Sequence, residues 1–221
     1  MKVLIHASPV RMWYVRDFLI PSLQEQGADE IQVWNDIHRK GNLRACMDSF
    51  ATRQGHGGTW HIQDDVLICR DFVERCREHD EGVVYGFCNE QFTDDQHQTG
   101  EVFVADSWHS FQCVRIPDDY ARDCAEWFEA DGWKQSPNPE VDILVMAGKG
   151  DDTLFREFMQ QKHGTETVLN LKPNLVEHVD WIVGGSILHR WRGYLARAYY
   201  WEDEDLVDEL KEAVKGKVEY V

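Results

Sequence analysis

The sequence predicts an α/β protein with a mixed, mostly parallel central sheet flanked by helices, a single domain with a helical C-terminal extension. Three observations predict it. Short apolar runs alternate with amphipathic helical segments from residue 2 to residue 87, the order of strand–helix–strand units in a parallel sheet. Polar and acidic residues close those runs, as His6–Ser8, Asn35-Asp36 and Asp64-Asp65. Parallel α/β sheets bind ligands at that end of their strands. Finally, the chain has 221 residues, 43% of them apolar, with nine Trp and ten Phe, enough to bury a substantial core.

Each element has its own signal. Lys2–His6 is a short apolar run broken by Ala7-Ser8-Pro9, a first strand. Residues 12–26 are an apolar-rich helical segment, expected to be interrupted at Pro21. Ile31–Trp34 is a second strand. Asn42 is a suitable helix cap, and Leu43, Cys46, Met47 and Phe50 follow at helical spacing on one face. Glycines at 55, 57 and 58 end that helix. Thr59–Gln63 is the third strand, followed by a helix near 70–79, and Val83–Phe87 is the fourth strand. The second half is less regular. It offers a strand within Trp108–Ile116, a helix over 118–130, an element beginning at Asn138-Pro139-Glu140, and a helix after Asp151-Asp152 with Leu154, Phe155, Phe158 and Met159 inward. Thr167–Leu171 is a late strand, and Asp203–Lys215 an acidic amphipathic helix.

Charge and cysteines narrow the function classes. Forty acids against 23 bases give a formal charge of −17, which argues against coating nucleic acid through phosphate contacts. Residues 1–60 hold seven bases and six acids, so the acidity lies in the remainder and an anionic ligand is better placed near the N-terminal segment. None of the six cysteines forms Cys-x-x-Cys, so zinc-ribbon and thioredoxin readings have no support. They read as reduced core thiols. No apolar run reaches membrane-spanning length and the N-terminus lacks a signal-peptide pattern. A cytoplasmic protein without integral membrane contact is the expectation.

The stretch carrying most chemistry is Thr59–Val66, "TWHIQDDV". Two adjacent Asp side chains repel each other, so something must compensate. A divalent cation such as Mg²⁺ or Mn²⁺ is one answer, held by one or two carboxylates and by substrate phosphates. Capping of the next helix, or backbone hydrogen bonds, is another. Asp151-Asp152 has the same two readings. It is a helix N-terminus favourable to carboxylates, or a catalytic base.

Taken together, "LIHASPVRMWYV", "IQVWND", "GNLRACMDSF" and "TWHIQDDVLICRDF" resemble a GT-A fold glycosyltransferase. "FQCVRIPDDYARDCAEWF", "GKGDDTLFREFM" and "PNLVEHV" resemble later segments of lipopolysaccharide- and collagen-type galactosyltransferases. The resemblance spans residues 2–190. It implies a GT-A domain over 1–190, with a nucleotide-sugar half at 1–100 and an acceptor half at 101–190, and a helical extension at 191–221. It also implies a Mn²⁺ or Mg²⁺ cofactor bridging the phosphates of a nucleotide sugar, uridine diphosphate by likeness. Asp65 and His178 would hold the metal. Ser8, Arg11, Asp36, Asn42, Arg44, Gln63 and Asp64 would line the nucleotide. Gln63 stands where an acid is usual, which removes one charge. Asp152, or Asp151 beside it, would be the general base of an inverting transfer. Lys149, Lys172, Arg190 and Arg192 are candidates for meeting the leaving phosphate.

Two other readings stay open. A nucleotidyltransferase shares this element order but normally has a Gly-rich basic loop after the first strand, where "HASPVRMW" has one Arg and no Gly. A non-catalytic nucleotide-sugar-binding or scaffold protein fits the loss of charge at Gln63. The acceptor, whether glycan, protein, lipid-linked sugar or modified nucleobase, is not encoded legibly. "HRWRGYLARAYYW" offers aromatic faces for sugar stacking, core packing or a homodimer contact.

Overall fold

The computed structural model describes residues 1–87, 101–103, 111–164, 167–171, 173–184 and 201–217. Among the described residues, seven strands form its central sheet: β1 (Lys2–Ala7), β2 (Glu30–Asn35), β3 (Gly58–Gln63), β5 (Val84–Tyr85), β6 (Glu101–Phe103), β7 (Cys113–Pro117) and β8 (Thr167–Asn170). They lie in the order β2-β1-β3-β7-β5-β8-β6. β1 pairs in parallel with β2 and β3, and β5 with β8; β7 and β6 run against their neighbours. Five strands therefore point one way. A separate two-stranded sheet joins β4 (Val66–Ile68) to β9 (Val176–His178), antiparallel.

Side chains alternate across the main sheet and build two apolar layers. On one face Val3, Ile5, Trp60 and Ile62 pack with the helical stretch after β1 and with α4 (Phe72–Arg77). That stretch runs as α1 (Met12–Tyr14), a π-helical segment Val15–Leu19 and α2 (Ile20–Glu25). It is not interrupted at Pro21, contrary to expectation. Pro21 falls in the first turn after the π-helical segment, where a missing backbone N–H is tolerated. On the other face, α3 (Asn42–Ala51), α5 (Asp118–Glu129) and α7 (Asp151–His163) cover Val114 and Ile116. α6 (Pro139–Met146) precedes α7, and Asn138 caps it by accepting from the Glu140 N–H at 3.0 Å.

Two short helices complete the described chain, α8 (Asp180–Val183) and α9 (Glu204–Ala213). Val207, Leu210 and Val214 join the first apolar layer, and Arg70 pairs with Asp203, Asp205 and Glu209. α9 is thus packed on the domain rather than appended to it. Among the described residues, no helix is long and apolar enough to cross a membrane. Lys172, Arg190, Arg192, Trp108 and all of "HRWRGYLARAYYW" except Trp201 lie outside the described residues.

Candidate active site

The C-terminal ends of β1 and β3 bring the first cluster together. Parallel pairing sets His6 opposite Gln63, so Ser8 and Asp64 follow on adjoining chain. Asp64 is buried and its oxygens are taken: Oδ2 accepts from the Ser8 N–H at 2.5 Å and the Ser8 hydroxyl at 2.9 Å, Oδ1 from Arg11 Nε at 2.7 Å. The Arg11 guanidinium reaches Asp64 Oδ1 at 2.6 Å and Asp65 Oδ2 at 3.2 Å. The repulsion between the two carboxylates is therefore answered, in part, by a side chain of the protein itself.

Asp65 has a second partner. β4 pairs with β9 so that Val66 lies opposite His178, and the Val179 N–H donates to the Asp65 carbonyl at 2.7 Å. This strand pair carries His178 Nε2 to 3.4 Å from Asp65 Oδ2. Burial alone would raise the Asp65 carboxyl, but Arg11 and His178 hold it well below the usual carboxylate range. Burial works against a charged His178, and Asp65 reverses that and raises it. Burial pushes Asp64 upward against the pull of Arg11.

A divalent cation held by Asp65 and His178 would replace the ion pair between them, His178 Nε2 to Asp65 Oδ2 at 3.4 Å. Asp65 Oδ1 and His178 Nδ1 are buried without a hydrogen-bond partner, and a carboxylate with an imidazole suits Mn²⁺ better than Mg²⁺. Asp64 does not fit as a ligand, because Ser8 and Arg11 occupy its oxygens. Gln63, half-buried, donates its backbone N–H to the Gln112 carbonyl at 3.1 Å.

The second cluster forms where α7 begins. Gly150, the α7 N-cap, has φ +87°, and an added Cβ there would lie 2.9 Å from Leu144 Cβ. That turn places Asp151 in the interior, 4% exposed, with Asp152 half-buried beside it. Burial, then the neighbouring Asp152, lifts the Asp151 carboxyl to about 7. Burial lifts Asp152 to about 6, opposed by the Thr153 N–H, which donates to its Oδ1 at 2.7 Å, and by Arg156.

Asn42 belongs to this second cluster. The N-cap of α3 is Gly41 at φ +92°, not Asn42, and Asn42 is near enough to Asp151 to pull its carboxyl down against burial. The helix-cap expectation is corrected accordingly. Asp36 is used locally: its carboxylate accepts from the N–H groups of Lys40 and Gly41 and shapes the loop before α3. Arg44 is not brought to either cluster. Its guanidinium pairs with Asp48 and Glu129 and lies over the Phe128 ring, against α5.

Between the clusters lies a group that the sequence pattern did not single out. His6, Cys46 and His61 are buried together on the α3 side of the sheet. Burial lowers His6 to about 4 and His61 well below its usual value, so both rings are neutral. Their spacing in the chain matches no motif, and only the alternation of β1 and β3 against the Cys46 face of α3 could have joined them.

No protein-family model matches the chain, and no curated protein matches it in sequence. Solved structures are similar in shape. The galactosyltransferase LgtC in complex with donor and acceptor sugar analogues is 13% identical, with 99% of this chain and 100% of that chain covered and a TM-score of 0.46. An active-site mutant of LgtC is 12% identical over the same shares, with a TM-score of 0.48. A putative glucose-1-phosphate thymidylyltransferase from Bacillus anthracis, in complex with a sucrose, is 11% identical, covering 86% of this chain and 93% of that one, with a TM-score of 0.39. At these identities and TM-scores the likeness says nothing of activity.

Proposed function

We propose that the chain is a metal-dependent glycosyltransferase, moving a sugar from a nucleoside-diphosphate sugar to an acceptor hydroxyl. The observation that carries this reading is the meeting of Asp65 and His178, 3.4 Å apart, at the strand ends where α/β sheets take ligands. A Mn²⁺ or Mg²⁺ ion bound there would hold the donor diphosphate and offset the charge that grows on it as the sugar–phosphate bond breaks. Arg11, held by Asp64 and Asp65, adds a fixed positive charge beside the same site. Uridine diphosphate is the nucleotide implied by the sequence resemblance.

The chemistry on the acceptor side belongs to Asp152. Half-buried at the start of α7, it is within reach of an acceptor, whereas Asp151 is enclosed. The pair titrates at about 6 and about 7, so near neutral pH it holds one proton between two carboxylates. Asp151 keeps that proton and Asp152 takes the one released by the acceptor hydroxyl as its oxygen attacks the anomeric carbon. A base with a value near the working pH is the efficient choice. Attack from the face opposite the leaving phosphate inverts the anomeric centre.

The test is thermal unfolding with uridine, guanosine, cytidine and thymidine diphosphates, each with Mn²⁺ and with chelator, on wild type and Asp65→Ala. A ligand at a hundred times its dissociation constant adds about 2.7 kcal/mol, a shift of several degrees. One nucleotide should give a shift that needs metal and is lost in Asp65→Ala. If none shifts the transition, the Asp64–Asp65 pair is structural.

Gln63 and the Arg11 bridge favour a second reading, a nucleotide-sugar-binding module without catalysis. Binding without hydrolysis, and without transfer across an acceptor panel, would select it.

A further inference from the structure

The trio of His6, Cys46 and His61 has a chemistry of its own. His6 projects from the end of β1 and His61 from the middle of β3, both toward α3, with ring centroids 5.5 Å apart. Cys46 is fully buried on the face of α3 that packs on this sheet. One donor atom from each residue lies within 4.8 Å of the others. Phe50 and Phe111 close the site, with ring centroids 5.8 Å from that of His61.

The polar atoms in this apolar enclosure are unmet. His61 Nδ1 and Nε2 and His6 Nδ1 are buried without hydrogen-bond partners. An unmet buried donor or acceptor costs about 1–3 kcal/mol, and such atoms call for an occupant, water or ion. A water would need several polar partners, and a thiol is a weak one. Two imidazoles and a thiol are instead the donor set of borderline and soft transition metals.

We infer that His6, Cys46 and His61 bind one Zn²⁺ or Cu⁺ ion in a closed site, separate from the carboxylate site and independent of the glycosyltransferase reading. Donors on one such ion sit roughly 3.5 Å apart, so atoms within 4.8 Å of one another close by no more than about 1.3 Å. Binding turns Cys46 into a thiolate and releases its proton to solvent. Thiolate and two neutral imidazoles cancel one positive charge, leaving Cu⁺ neutral and Zn²⁺ at +1. The ion would pin α3 to β1 and β3 beneath the crevice.

The experiment titrates metal-stripped, reduced, full-length protein. Co²⁺ stands in for Zn²⁺ and is followed by thiolate-to-metal charge-transfer absorption. Cu⁺ is titrated anaerobically against a chromophoric chelator. One equivalent of at least one metal should bind, raise the thermal transition, and be lost in Cys46→Ala and His61→Leu, each checked for folding by circular dichroism. Asp65→Ala, checked for folding in the same way, should keep the thiolate-to-metal absorption and the Cu⁺ stoichiometry of wild type, whatever Co²⁺ the carboxylate site takes. X-ray absorption of the loaded wild type should show one sulfur ligand and requires no variant. Absence of a sulfur ligand, thiolate-to-metal absorption or Cu⁺ binding that survives Cys46→Ala, or either of these lost in folded Asp65→Ala would each overturn the assignment.

Discussion

At the scale of single residues, the carboxylate pair at 64–65 shows how far chemistry can be read from a dipeptide. Adjacent Asp residues required a compensating charge, and the sequence pointed to a cation. It could not show that Arg11, on the turn after β1, supplies one, because that pairing depends on the register of β1 against β3. Removing one partner of a buried ion pair costs on the order of 3–5 kcal/mol, since the other charge stays buried. Arg11→Met should therefore lower the transition of the metal-free protein by roughly 10 °C. Mn²⁺ should restore much of it, because the competing cation is gone and Asp65 with His178 remains. Thermal unfolding with Mn²⁺ or chelator checks this, and no recovery with Mn²⁺ would speak against an ion at Asp65. Asp151 gives a second test. Its folded value, about 7, lies above its ordinary value of 3.8, so its ionisation opposes folding. The penalty grows as pH rises from about 4 to about 7 and is constant above. Asp151→Asn removes it. The variant should melt higher than wild type at pH 8, by less at pH 5, and equally below pH 4. A gain independent of pH would mean that the carboxyl is not held protonated. His178 was reachable only through resemblance to known transferases, since one histidine among ten has no signature. The His6–Cys46–His61 group has no spacing signature, its members being scattered through the chain, and only strand alternation combined with the face of α3 could have joined them.

At the scale of elements, what was legible followed periodicity. α3, α5 and α7 showed their apolar faces at helical spacing, and Leu154, Phe155, Phe158 and Met159 are indeed buried. β4 and β9 were missed because three-residue strands are too short to show alternation. That omission matters, as β9 is the element that carries His178 to Asp65. Asn42 was misread as a cap because capping preference is a local signal, and Gly41 at φ +92° takes the N-cap position, which leaves Asn42 as the first residue of α3. Gly150 acts at the same scale. Its positive φ and its contact with Leu144 exclude a side chain, and the turn it makes sets where Asp151 and Asp152 point. The left-handed conformation alone costs an alanine about 1–2 kcal/mol. Gly150→Ala should lower the thermal transition by at least a few degrees. It should also flatten the pH dependence described for Asp151, as the helix start shifts and water reaches the carboxyls. A lowered transition with an unchanged pH profile would show that Gly150 serves stability alone.

At the scale of the molecule, strand–helix alternation predicted the parallel β2-β1-β3 portion, but not how the second half joins it. A division into halves at residue 100 is natural in the sequence and unnatural in the sheet. β7, from the second half, inserts between β3 and β5 and pairs Gly58–Ile62 with Cys113–Pro117. The apolar layer around Phe50 and Met47 is completed by Phe111, Cys124, Phe155 and Phe158 from beyond that boundary. On the other face, α9 returns Val207 and Leu210 to the layer begun by β1. A fragment of residues 1–100 would expose the edge of β3 and the inner face of α3 together, and an exposed apolar strand edge invites association. Such a fragment should show no cooperative thermal transition and should aggregate. The full chain should unfold in one transition whose calorimetric and van 't Hoff enthalpies agree. An independently folding fragment, or two resolved transitions, would mean that the sheet is two units laid side by side. The first cluster, with Asp65 and His178, would then lack a fixed position relative to Asp151 and Asp152. A transfer that needs both donor and acceptor groups in one frame requires the single unit.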